Sequence, residues 1–145
     1  MLHKGIFFFI LFASVIFTFS CGENTSQTES NDHTELREEV IAIHDEVMPQ
    51  MGRLKSLERR VASQKDSLVA QDSTIYAEEI SQKAAIVDEL HQAYDEMFVW
   101  MRQFRPDEVE TENEEAYLLE QREKVKEVNR QIKSALERAT AEVDN

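Results

Sequence analysis

The sequence predicts an all-α fold, an antiparallel three-helix bundle or a long helical hairpin with a third helix packed along it. Three observations carry this. Apolar residues recur at three- and four-residue spacing from Leu36 onward, and nowhere alternate as a strand would. Gly and Pro together occupy only five positions (3 and 2) in 145 residues, so few tight turns are available. The cap and turn clusters are few and divide the periodic region into three segments.

Helix one is expected over 34–71. Leu36, Val40, Ile43, Val47, Leu54, Leu57, Val61 and Leu68 fall on the a and d positions of one heptad frame, with Gln50 and Gln64 in two d slots. Asp32 with Glu35 offers a cap at its start. Pro49 removes a backbone donor and collides with the carbonyl of Asp45, so a kink is expected there, softened by Gly52; the frame continues in register across it. Asp72-Ser73-Thr74 closes the helix.

Helix two is expected over 74–105. Ile80, Val87, Tyr94 and Met101 form one seam, and Leu90, Met97 and Phe104 the other. Arg105-Pro106-Asp107 stops it, because proline cannot continue a helix and its predecessor avoids the α region. Helix three, 112–141, carries Leu118, Val125, Ile132 and Ala139, with Val128 and Ala135. Thr111 to Glu114 has the spacing of a capping box. Short connections favour antiparallel neighbours. Frames this regular also fit self-association as a coiled coil.

The N-terminal region reads as an address. Met1 to Gly5 contains Lys4, and Ile6 to Phe19 is a run of 14 uncharged residues rich in Phe and Ile. That matches the apolar region of a signal peptide and falls short of the ~20 residues of a membrane span. Ser20-Cys21 then resembles a lipobox, which makes 1–20 the signal peptide and Cys21 the lipidation site. Thr18 stands where a lipobox carries a Leu-like residue, and Phe19 is bulkier than its usual occupant. Two or more acyl chains on Cys21 would anchor stably, whereas one would not. Residues 21–33 then comprise the lipidated cysteine and a flexible polar tether. Gly22 after the cysteine gives no inner-membrane retention signal, which favours the outer membrane of a bacterial cell envelope by known sorting rules.

Charge and chemistry narrow the function. Lys4 is the only charge before residue 21, so 15 of 16 cations and all 29 carboxylates lie beyond it, leaving −14. Such a surface repels nucleic acid and anionic headgroups. Cys21 is the single cysteine, which excludes an internal disulfide. The sequence holds no Gly-rich phosphate loop, no G-x-S-x-G and no H-E-x-x-H, so a non-enzymatic chain without a cofactor is expected.

One constellation stands out. A hairpin turning near residue 73 pairs positions summing to ~146, which gathers His44, Met48, Met51, Met97 and Met101 into one layer. A turn near 109 adds Tyr117 and Leu118 to it. Thioether and imidazole ligands suit Cu(I). Flexible methionines filling gaps beside a kink account for the same layer as core. Trp100, Phe98 and Phe104 lie in the same region and would grip a partner protein if partly exposed.

The stretch His44-Asp45-Glu46-Val47-Met48-Pro49-x-Met51, followed by Tyr94-Asp95-Glu96-Met97-Phe98-Val99-Trp100-Met101-Arg102-x-Phe104, is similar to a group of small helical lipoproteins of Bacteroidota-type bacteria. Some of these carry the name viral A-type inclusion protein. The similarity covers most of the chain beyond the leader. It implies lipidation and a helical body, and it brings no catalytic residue with it. The expectation is a lipid-anchored structural or protein-interaction module of the envelope, held to the membrane through its lipid, that meets an envelope protein or another copy of itself. The alternative is a copper-binding envelope protein.

Overall fold

A computed structural model describes the backbone from Thr25 to Asp144, with side chains from His33 onward. The leader 1–20 and Cys21 lie outside the described residues. The architecture is all-α: α1 (Thr25–Val47), a 3-10 turn (Met48–Gln50), α2 (Met51–Asp72), α3 (Ala77–Gln103), a second 3-10 turn (Pro106–Glu108) and α4 (Thr111–Asp144). No strand occurs among the described residues. The helix of α1 begins at Thr25, so the stretch expected as tether is helical from there on. A formed helix extends at little cost once nucleated, which is why it runs past the Asp32 cap.

The interruption at Pro49 follows its chemistry. The 3-10 turn places proline in its first positions, where the missing N–H leaves no bond unmade. α2 then resumes the frame of α1: Val47 and Leu54 are both buried on either side of the turn. Asn129 of α4 secures this joint. Its side-chain amide donates to the carbonyl of Ile43 at 3.0 Å and to Glu46 at 2.9 Å.

Asp72 builds the α2–α3 turn. Its Oδ1 accepts from the backbone amides of Thr74 (2.8 Å) and Ile75 (3.0 Å), and these bonds hold its carboxyl below its ordinary pKa. The α3–α4 connection covers 104–110, because α3 ends at Gln103, short of the expected 105. α4 starts at Thr111, and the amide of Asn113 donates to the Glu110 carbonyl. Glu114 serves α1 instead of a capping box: it accepts from Arg37 at 2.8 Å and approaches His33 at 3.5 Å. Tyr117 ties the connection down, accepting from the amide of Arg105 at 2.7 Å.

α3 runs antiparallel to α2, and α4 returns parallel to α1 and α2. α2 packs mainly on α3, and α1 mainly on α4. The helices are offset along the axis. Arg37 of α1 meets Glu114 and Asp107 beyond the end of α3, and Glu39 meets Arg122 where α3 is already alongside. Three helices coexist over the middle, around Leu54, Leu90, Met97 and Ile132, all fully buried. At the far end Lys83 closes that section, bonding Glu142 of α4 and Gln64 of α2. Beyond it α2 and α3 continue as a two-helix hairpin, whose Ile75 is 75% exposed.

The α4 frame is as expected: Leu118, Val125, Val128, Ile132, Ala135 and Ala139 are all buried. The α3 frame needs correction in one seam. Leu90 and Met97 are buried, but the second buried seam is Ile86, Ala93 and Trp100, not Val87, Tyr94 and Met101. α3 must serve α2 on one flank and α4 on the other, so its apolar face is wider than two heptad positions. Tyr94 ends up half-buried under Lys55 of α2, with the ammonium 5.1 Å from its ring centre.

Candidate functional site

The expected His/Met layer divides by burial. Met51 and Met97 belong to the main hydrophobic cluster and Met48 packs against it, while Met101 is 37% exposed. His44 stands beside this cluster with its ring 5.6 Å from that of Trp100. Its Nδ1 lies 2.8 Å from Asp45 Oδ1, and its buried Nε2 has no partner among the described residues. Tyr117 is level with Phe104, not Met101, because the connection between α3 and α4 is long.

The aromatic residues also part company. Phe98 pairs with Tyr94, ring centres 4.8 Å apart, on the flank that faces α2. Trp100 is on the α4 flank, where it stacks on Phe104 at 5.0 Å; Phe104 in turn faces Tyr117 at 6.2 Å. Trp100 is 6% exposed, too buried to be an open grip, and its indole N–H lacks an acceptor among the described residues. Trp100, Phe98 and Phe104 do not form one exposed patch: Phe98 and Phe104 are packing partners, and Trp100 is the floor of a groove.

That groove runs between α3 and α4, with a volume of ≈ 630 Å³. Val99, Trp100 and Val128 form its apolar floor, and Val99 is 40% exposed. Glu96, Glu120, Glu123 and Glu127 stand along it, against the single cation Lys124. Glu127 is held below its ordinary pKa by hydrogen bonds from Arg130. Position in the sequence alone did not distinguish these glutamates from the other carboxylates. Their convergence depends on the register between two helices, which the length of the 104–110 connection sets.

A second groove, ≈ 670 Å³, follows the kink between Glu46, Arg53 and α4. Its lining is nearer to charge balance, with Glu46, Glu137 and Asp144 against Arg53 and Lys133. Lys133 and Asn129 hydrogen-bond Glu46 and keep its carboxyl below the ordinary range, and Arg53 donates to Thr140 at 3.0 Å. Of the two, the α3–α4 groove has the larger excess of one sign of charge, four carboxylates against one ammonium.

No helix among the described residues is long and apolar enough to cross a membrane. No group of three or more His, Cys, Asp or Glu side chains among the described residues is arranged to hold a metal ion. Comparison with family models, with curated protein sequences and with solved structures returned no match.

Proposed function

We propose that the chain is a non-enzymatic, lipid-anchored protein of the bacterial cell envelope whose helical bundle serves as a protein-interaction module. The observation that carries this reading is Cys21 directly after an uncharged apolar run preceded by Lys4. The likeness to small helical lipoproteins supports it, and Gly22 favours the outer membrane. The acidic body supports it too: at −14 the bundle is repelled by anionic headgroups, so attachment rests on the lipid. Metabolic labelling with a fatty-acid probe tests the anchor. Wild type takes up label and Cys21→Ser does not; equal labelling of the two refutes it.

One observation favours a second reading, Cu(I) binding. His44 Nε2 is buried and has no partner among the described residues, beside a cluster that includes Met51 and Met97, with Met48 against it. A thioether–imidazole set suits that ion. Met101, exposed, would be its least suited member. Titration of Cu(I) against a competing chelator decides it: affinity weaker than about micromolar, some −8 kcal/mol, removes copper as a function.

A further inference from the structure

We infer that the α3–α4 groove over Trp100 docks a short cationic amphipathic segment of an envelope protein. An apolar anchor on that segment sits on half-exposed Val99, against the edges of Trp100 and Val128 that line the floor, and its Lys or Arg side chains meet Glu96, Glu120, Glu123 and Glu127. This rests on the interaction-module reading and names the surface and the chemistry of its partner. Charge complementarity fixes the occupant. Four carboxylates and one ammonium line an apolar floor, so the lining itself is acidic and a ligand carrying cations beside an apolar anchor complements it. A second copy of this chain would bring a further −14 against the same rim. The rim carboxylates have partners within the chain: Glu120 with Lys124 at 2.6 Å, Glu123 with Arg122 and Lys126 at 3.4 Å, and Glu127 with Arg130. Exposed pairs of this kind are worth only about 0–1 kcal/mol, so an incoming guanidinium exchanges with them readily. From Glu96 to Gln103 the groove follows about two helical turns, roughly 10 Å, which suits an equally short segment. The indole N–H of Trp100, without an acceptor among the described residues, leaves a donor at the floor.

The experiment uses the full chain in zwitterionic detergent micelles, with empty micelles as reference. The probe is a tryptophan-free amphipathic peptide of about 12 residues, three helical turns, with one Leu per turn flanked by Lys and Arg. A counterpart carries Glu at every cationic position. Trp100 is the only tryptophan, so its emission reports the groove itself, and peptide anisotropy gives the affinity. The cationic peptide shifts Trp100 emission, and added salt reverses the shift. Combined E120Q, E123Q and E127Q weakens binding by roughly tenfold or more. Combined E38Q, E112Q and E115Q, which removes as much charge elsewhere, weakens it by less than about threefold. Equal losses in the two triples overturn the proposal, as does binding that leaves Trp100 emission unchanged or equal binding of the Glu peptide. Capture of one and the same membrane protein by wild type and rim variant also overturns the groove, while leaving the interaction-module reading intact.

Discussion

Trp100→Ala and Met101→Ala are adjacent substitutions that the α3 register separates. Trp100 is 6% exposed in the seam facing α4. Burying a tryptophan removes about 200 Å² from water, worth ~5 kcal/mol at 25 cal/mol/Å² as an upper bound. Large-to-Ala changes in cores cost about 3–5 kcal/mol. The indole N–H has no acceptor among the described residues, so deleting it also relieves an unmatched buried donor worth ~1 kcal/mol. The expected loss for Trp100→Ala is therefore ~3 kcal/mol. Met101 is 37% exposed and outside the buried cluster, so its truncation costs about 0.5 kcal/mol. Urea unfolding followed by far-ultraviolet circular dichroism measures both. With a slope of about 1.5 kcal/mol/M, the midpoint falls by ~2 M for the first and ~0.3 M for the second. Equal shifts, or a larger one for Met101, would refute the assigned register and restore the Val87–Tyr94–Met101 seam.

Three more outcomes follow from other parts of the bundle. Gly52 sits inside α2, where an added Cβ meets nothing within 4 Å, so Gly52→Ala raises stability by about 0.5–1 kcal/mol, read as a higher thermal midpoint. Lys83 is buried and bonds Glu142 and Gln64; removing Glu142 leaves the ammonium short of a partner and costs ~1–2 kcal/mol, whereas Lys83→Met is near neutral. If Lys83→Met proves the more damaging in the same urea assay, the ion pair is a net source of stability. Glu46 is held below the ordinary carboxylate range by Lys133 first and Asn129 second. A lowered folded-state pKa gives stability that is complete above the unfolded value and lost as pH falls through the folded one. The gap in melting temperature between wild type and Glu46→Gln is therefore constant near neutrality and closes below about pH 4; a gap independent of pH contradicts the Lys133 bond.

The helices, their breaks and the kink were legible in the sequence because each has a local cause. Proline lacks an N–H, Asp72 can cap its own turn, and Leu118, Val125, Ile132 and Ala139 repeat at period seven along α4. The α3 seam was less legible because two adjacent stripes compete. Ile86, Ala93, Trp100 and Val87, Tyr94, Met101 are both apolar at period seven, and small Ala93 weakens the true one. Only the presence of helices on both flanks decides which stripe is covered. The groove was not legible at all. Glu96 and Glu127 are 31 residues apart in a chain with 29 carboxylates, and nothing short of the helix–helix register brings them to one rim.

The parallel run of α1 beside α4 has a mechanical meaning. α1 begins more than two turns before the residues, His33 and Arg37, that meet the start of α4, and Asp144 ends α4 just past the Lys83 contact, so the two ends point in opposite directions along the axis. Tension between them slides α1 along α4. Arg37–Glu114, Glu39–Arg122, Asn129–Ile43, Lys133–Glu46 and Arg53–Thr140 are then strained together, where a hairpin pulled from its open end would lose them one at a time. Pulled from its N-terminal side, the bundle meets load in shear.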